Sequence, residues 1–477
     1  MTRLERRARR LARHVPRPHR ARYREEILGH LEDLAAEARA RGRAPRAAVA
    51  EAIARFGDGS KTATDIGRAA RGRPVVLFPS RVQSWLASFL IYDLKALLIV
   101  LVLVVFVRWK VLGAYHIPTP SMEPTLMGEK WGGDRILVDI LTHRTLRDLG
   151  LTSGEIARWN VLVFRNDHDD GQNYIKRVGG LPGERLGIAG GDIFVNGAVA
   201  RKDDATRDSM MIDLIRPFAA DDPKSAFDHW EPLAGSWNPR GRRLLATAGE
   251  NGGGPAILRA SRELRNGYFD HDDEYVAGSH DIVDGRFSCD VEWQEGEGGE
   301  VRLSFGRSNQ ILELRVPGPG AEGPATLSFD GELVASDGGW QLETFEESRL
   351  TISRIDGVLQ ARRNGRLMFE HETDWDLATA IDLGRAPARA QIEVRGGAAT
   401  VRTLHVERDI HYVVTGSNQL DGIETGEYVV PDGTLIMLGD NSANSSDSRR
   451  FGPFPVDCVI GKPLIVFWPP NRWGAVR

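Results

Sequence analysis

The sequence predicts a mainly β protein in three parts: an N-terminal α-helical domain, one apolar anchoring helix, and a β domain interrupted by an inserted antiparallel β-sandwich. Three observations carry this reading. Ahead of residue 75, apolar side chains recur at helical spacing; a single strongly apolar run follows, Ala96 to Val107; beyond it, short β-branched runs bounded by turn residues take over. The chain has 477 residues, enough for about two to four domains. Its formal charge is −4, yet residues 1–73 hold nineteen Lys/Arg against nine Asp/Glu. A basic segment directly before an apolar stretch fits the positive-inside pattern of a membrane protein better than nucleic-acid binding.

Residues 1–75 are expected to form a cytoplasmic helical domain. Ile27, Leu31 and Leu34 share one helix face, and a second helix opens with Pro45 in its first turn and stops at Gly57. The phrase Glu26, His30-Leu31, Asp33-Leu34, with Arg55-Phe56-Gly57-Asp58 later, resembles the small helical prefix domain (HAAS type) of some bacterial membrane proteins. Residues 76–93 read as a linker or interfacial segment and 94–114 as a transmembrane anchor. From Ala96 to Ala114 a helix would span about 28 Å, close to the ~30 Å of bilayer hydrocarbon. Arg108 and Lys110 near its end can reach headgroups, while Trp109 and Tyr115 suit an aromatic belt. The long polar sequence ahead of it argues for a retained anchor rather than a cleaved leader.

Strand signals begin in 115–200, with Arg135–Val138, Asn160–Phe164 and Tyr174–Val178, and with Asp192–Val195 leading into an Asn196-Gly197 hairpin turn. In 201–410, Phe287, Cys289, Val291 and Trp293 alternate with polar residues, as do Val301, Leu303 and Phe305. Leu350, Ile352 and a second turn at Asn364-Gly365 continue the pattern, which is that of an antiparallel sandwich. With Trp230 and Gly235-Ser236-Trp237, this block resembles the concanavalin/laminin-G jelly roll. It interrupts a domain that resumes at 411–477. The two cysteines, Cys289 and Cys458, lie far apart, and the twelve histidines form no ligand pattern, so neither metal nor cofactor is expected. The acidic run around Asp270 reads as a solvated turn, since its spacing is not that of a calcium loop.

Three segments carry the candidate chemistry. Ile117 to Leu126 presents Ser121 between Pro118, Pro120 and Pro124, which stiffen the backbone around one hydroxyl. Tyr174 to Glu184 places Lys176 in a strand-like run between Ile175 and Val178. Gly439 to Pro453 contains Asp440-Asn441 and Ser445-Ser446-Asp447-Ser448-Arg449. Serine needs a base, and a lysine serves only when neutral. At a free pKa of about 10.4, only about one lysine in 2,500 is neutral at pH 7, but burial can lower that value by ~3–5 units. In chain order these boxes resemble those of the bacterial type I signal peptidases, the Ser/Lys peptidase family S26.

The resemblance implies Ser121 as nucleophile and Lys176 as general base. It implies Ser445 as the orienter of the lysine, Thr119 as an oxyanion-hole donor beside the Ser121 N–H, and Asp447, Arg449, Asp440 and Asn441 as residues shaping the site. Three departures stand out: Pro120 replaces the usual glycine, Ser442-Ala443 replaces Arg-Asp, and Trp159-Asn160 stands where Gly-Asp usually opens a strand. The implied reaction is removal of signal peptides from exported preproteins with small, Ala-x-Ala-like residues before the cut. The implied address is the bacterial inner membrane, single-pass, with the N-terminus cytoplasmic and the catalytic domain on the outer face. Partners would be preproteins and the lipid bilayer, with a glycan or protein ligand open for the 201–410 block and no nucleic acid. A surface binding protein with an idle peptidase core, or a self-cleaving repressor, are the rivals; intact Ser121, Lys176 and Ser445 oppose the first and the anchor opposes the second.

Overall fold

The computed structural model describes residues 2–15, 17, 20–57, 94–128, 132–151, 155–167, 169–218, 222–249, 254–307, 310–383, 386–414 and 419–476. It divides into two compact units, Met1–Val102 and Leu103–Arg477. The expected segment 76–93 lies outside the described residues.

The first unit contains the helices Arg3–Leu11, Arg20–Ala40 and Pro45–Phe56. Thr2 and Glu5 form a capping box on the first, and Pro45 opens the third, which ends at Gly57 with φ 66°. Leu4, Ala8, Leu11, Ile27, Leu31, Ala35 and Ala52 make its core. Ile27 and Leu31 are buried as the periodicity predicts, while Leu34 packs at the margin.

The apolar run forms the helix Leu94–Lys110, 17 residues long, with Leu97 to Phe106 all more than half exposed. Among the described residues no helix is long and apolar enough to cross a membrane. The expected continuation to Ala114 is not helical. After Lys110 the chain turns and Leu112–His116 pairs antiparallel with Arg135–Asp139, because a sheet edge offers those backbone groups partners.

In the second unit an antiparallel sheet runs, in spatial order, Leu112–His116, Arg135–Asp139, Val459–Trp468, Val161–Asn166, Gln172–Gly180, Thr434–Leu438 and Phe454–Pro455. Strands from both sides of the insert alternate in it, so the halves separated in sequence share one core: Ile136, Val138, Val163 and Ile175 pack with Ile460 and Val466. A smaller sheet holds Arg185–Ala189, Asp192–Val195, Ala198–Val199 and Tyr428–Val429. Its hairpin turns at Asn196 (φ 53°) and Gly197 (φ 89°), the left-handed pair that an Asn-Gly turn uses.

Between these halves stand two large antiparallel sheets. One runs Ser236–Arg240, Arg243–Thr247, Ala398–Arg408, Gly285–Glu295, Glu347–Ile355, Val358–Arg363 and Arg366–Glu372, with Ile212–Ile215 added on Ala398–Arg408. The other runs Glu332–Asp337, Ala325–Phe329, Gln310–Pro317, Glu300–Arg307, Arg389–Arg395, Ala256–Ala260 and Trp230–Ala234. Phe287, Cys289, Val291, Trp293, Val301, Leu303, Phe305, Leu350 and Ile352 are fully buried in one cluster. Their period-two alternation is therefore the inward face of a sandwich. Trp230 stacks on Phe287 at 5.4 Å within that core. Asp270 accepts from the N–H groups of Asp272 and Glu274, the bonding of a turn former.

Candidate active site

Pro120–Met122 is a single 3-10 turn with Pro120 at its first position, where a fixed φ suits the turn and no backbone donor is needed. This accounts locally for the proline that replaces glycine. Ser121 and Lys176 are both buried, at 6% and 2% exposure. Lys176 Nζ donates to Ser121 Oγ at 2.6 Å and to the Ile175 carbonyl at 2.8 Å. Thr119 Oγ1 lies 3.2 Å from Ser121 Oγ. The pair lines a cavity of about 350 Å³ walled by Ile117, Ile136, Val163 and Tyr174.

Burial lowers the Lys176 pKa to about 8, against the opposing pull of the Asp447 and Asp440 carboxylates, with Arg449 aiding the depression. Those carboxylates are already taken up. Asp447 Oδ2 pairs with Arg449 Nη2 at 2.6 Å, and Asp440 accepts from Arg177 Nε at 2.9 Å and Nη2 at 2.6 Å. All four are buried. Neutralised by arginines, the acids leave desolvation as the larger effect on the lysine.

Asn441 donates its N–H to the Ser121 carbonyl at 3.1 Å and Nδ2 to the Pro120 carbonyl at 3.0 Å. Ser445 does not make the expected bond to Lys176: Nζ is shared by Ser121 and Ile175, and among the described residues Ser445 Oγ has no hydrogen-bond partner. It lies against Gly439, where an added Cβ would come within 2.1 Å of Ser445 Oγ and 2.5 Å of the Ser121 carbonyl. Only glycine lets these two segments meet.

Sequence reasoning missed Arg177, Ser442 and Tyr268. Arg177 follows Lys176 in a strand and so points to the opposite face, where Asp440 waits; that alternation was a usable signal. Ser442 Oγ accepts from Val413 N–H at 2.9 Å and Arg449 Nη1 at 2.6 Å, so the Ser442 departure gives Arg449 a hydroxyl partner. Trp159 has φ 71°, the left-handed region where the usual glycine is at ease, and its carbonyl accepts from Arg177 Nη1 at 2.8 Å. Its ring lies 4.6 Å from Lys202 Nζ. Tyr268, from the insert, carried no signal.

The model of the family described as signal peptidase, peptidase S26, matches residues 90–232 and 390–468, the two stretches that build this sheet and site. Over these two stretches the chain is similar to the peptidase S26 family. Signal peptidase I of Mycobacterium tuberculosis is 42% identical over 67 residues, 12% of this chain and 23% of that protein. A probable signal peptidase I-1 of Synechocystis is 29% identical over 140 residues, 28% of this chain and 69% of that protein. The mitochondrial inner membrane protease subunit 2 of Danio rerio is 36% identical over 97 residues, 16% and 52% respectively. The chain thus spans under a quarter of the mycobacterial relative. Among solved structures, the carbohydrate-binding module CBM66 from Bacillus subtilis aligns at TM-score 0.27 and 11% identity, over 38% of this chain and 95% of that one.

Proposed function

We propose that this chain is a membrane-bound Ser/Lys endopeptidase that removes signal peptides from exported preproteins. The observation that carries the reading is the buried 2.6 Å contact between Lys176 Nζ and Ser121 Oγ. With a pKa of about 8, about one Lys176 in ten is neutral at pH 7, a gain of some two orders over a free lysine. Neutral Nζ takes the Ser121 proton as Oγ attacks the scissile carbonyl, and returns it to the leaving amine. The same amine then activates water to release the acyl-enzyme. Thr119 Oγ1 and the Ser121 N–H stabilise the tetrahedral oxyanion. Ser445 Oγ, buried beside the nucleophile loop without a partner, serves to orient Nζ once Ser121 is acylated. Asp447, Arg449, Asp440 and Asn441 hold the walls.

A cavity of about 350 Å³ suits small side chains before the cut, as in Ala-x-Ala. The exposed apolar face of Leu94–Lys110 supports an anchor in the inner membrane, and the basic sequence before it supports a cytoplasmic N-terminus, with the peptidase on the outer face. The test is cleavage of a preprotein in detergent by wild type, Ser121→Ala and Lys176→Ala. Each variant should fold and lose roughly 10⁴-fold or more in rate. Cleavage retained by either overturns the mechanism.

A further inference from the structure

Tyr268 lies within the insert, on the short hairpin Tyr268–Phe269/Tyr275–Val276, 145 residues along the chain from Glu123. Its hydroxyl nevertheless joins the hydrogen bonds of the nucleophile loop. It donates to Glu123 Oε2 at 2.6 Å and accepts from Asn441 Nδ2 at 3.3 Å. Asn441 holds the serine's own backbone, and Glu123 holds the loop that follows it. Glu123 Oε1 accepts from the Gly128 N–H at 3.1 Å, bracing the loop beyond Ser121. Asn441 holds the carbonyls of Pro120 and Ser121, at 3.0 and 3.1 Å. The hairpin is fixed in turn by the buried Arg408, whose Nε donates to the Gly267 carbonyl at 2.9 Å.

The consequence follows from peptide planarity. The Pro120 C=O and the Ser121 N–H belong to one rigid unit and point opposite ways, so a carbonyl held in place aims the N–H. An oxyanion donor is effective only when aimed before charge develops. We propose that Tyr268 is a positioning residue of the peptidase, through which the insert holds Asn441 and Glu123 and so aims the Ser121 N–H. This rests on the reading of Ser121 as nucleophile. The sandwich is thereby a structural part of the active site. Burial, then the bond to Glu123, raises the Tyr268 pKa above the usual phenol value, which keeps the hydroxyl a donor at neutral pH.

The experiment measures preprotein cleavage by the full chain in detergent, for wild type, Tyr268→Phe, Asn441→Ala and the double variant. Tyr275→Phe, which removes a hydroxyl from the opposite strand of the hairpin, is the control. Melting curves on the same samples put each rate on a folded basis. Tyr268→Phe should lower kcat about 10- to 100-fold, leave KM within about twofold and leave the apparent pKa of the rate in place. The double variant should lose less than the product of the two single losses, because Tyr268 acts on the Pro120 carbonyl through Asn441. Tyr275→Phe should cleave like wild type. Wild-type kcat in folded Tyr268→Phe or Asn441→Ala overturns the proposal, as do fully additive losses. A wild-type chain that cuts no preprotein contradicts the Ser/Lys reading itself, and this inference with it.

Discussion

Lys176 is costly to keep charged in its pocket, and that cost has a sign. Its folded pKa, about 8, lies below the 10.5 of an exposed lysine. Between those values the unfolded chain binds a proton that the folded chain does not, so stability rises with pH across that window. Below pH 8 the folded protein carries a buried ammonium that donates to a hydroxyl and a carbonyl and lies 5.4 Å from the Tyr174 ring, with no carboxylate bonded to it among the described residues. Lys176→Met should therefore stabilise the protein at neutral pH by on the order of 2–3 kcal/mol. Thermal melting should show that gain shrinking from pH 8 toward 10.5. A variant less stable than wild type at pH 7 would mean that the lysine sits in a better-solvated site. Arg177, one residue along, behaves oppositely: its bidentate bond to Asp440 keeps it charged although buried.

At the scale of elements, the site is made where three segments touch, and the tightest touch is at Gly439. Any side chain there meets the Ser121 carbonyl and Ser445 Oγ, one of them backbone that cannot rotate away. Gly439→Ala should move the nucleophile loop, costing about 1–3 kcal/mol of stability and most of the cleavage rate. Unchanged cleavage with an unchanged melting temperature would show that the loop yields freely. The same elements explain what the sequence made legible. Ser121, Lys176, Asp447 and Arg449 sit in short boxes whose chemistry depends on local order, and period-two alternation marked the buried face of the sandwich. Partners supplied by the fold were legible for Ser121 with Lys176, but not for Ser445, Tyr268 or Arg177. Ser445 Oγ lies against Gly439 and makes no bond to Lys176, a packing detail set by a segment far away in sequence, and Trp159 holds a left-handed turn that no propensity would assign to it. The apolar helix ends at Lys110 because sheet pairing captures the next residues.

On the scale of the second unit as a whole, the insert is welded to the peptidase domain by a buried charge cluster. Asp192 comes from the small sheet, Asp284 and Asp356 from the sandwich and Asp409 from the returning strand's end; one oxygen of each lies within 4.8 Å of the others. Lys202 Nζ bonds both Asp356 and Asp409, so an ammonium already sits among them. Burial raises the Asp284 pKa to about 7, with Asp356 and Asp409 pushing the same way against Arg354. A carboxyl so raised binds a proton in the folded state between about pH 4 and pH 7, and stability falls as pH climbs through that range. Asp284→Asn should stabilise the protein at pH 8 by on the order of 2 kcal/mol and flatten the decline in its stability between about pH 4 and pH 7, read by thermal melting. An unchanged pH dependence would place the proton on another member of the cluster.

The pH dependence of preprotein cleavage by the full chain tests the Ser/Lys reading most directly. Single-turnover rates from about pH 6 to about pH 10 should rise tenfold per unit and level off near pH 8, where Lys176 becomes neutral, with Lys176→Ala flat and near background throughout. A rate that ignores Lys176, or that rises through a histidine-like pKa near 6.5 instead, would contradict it.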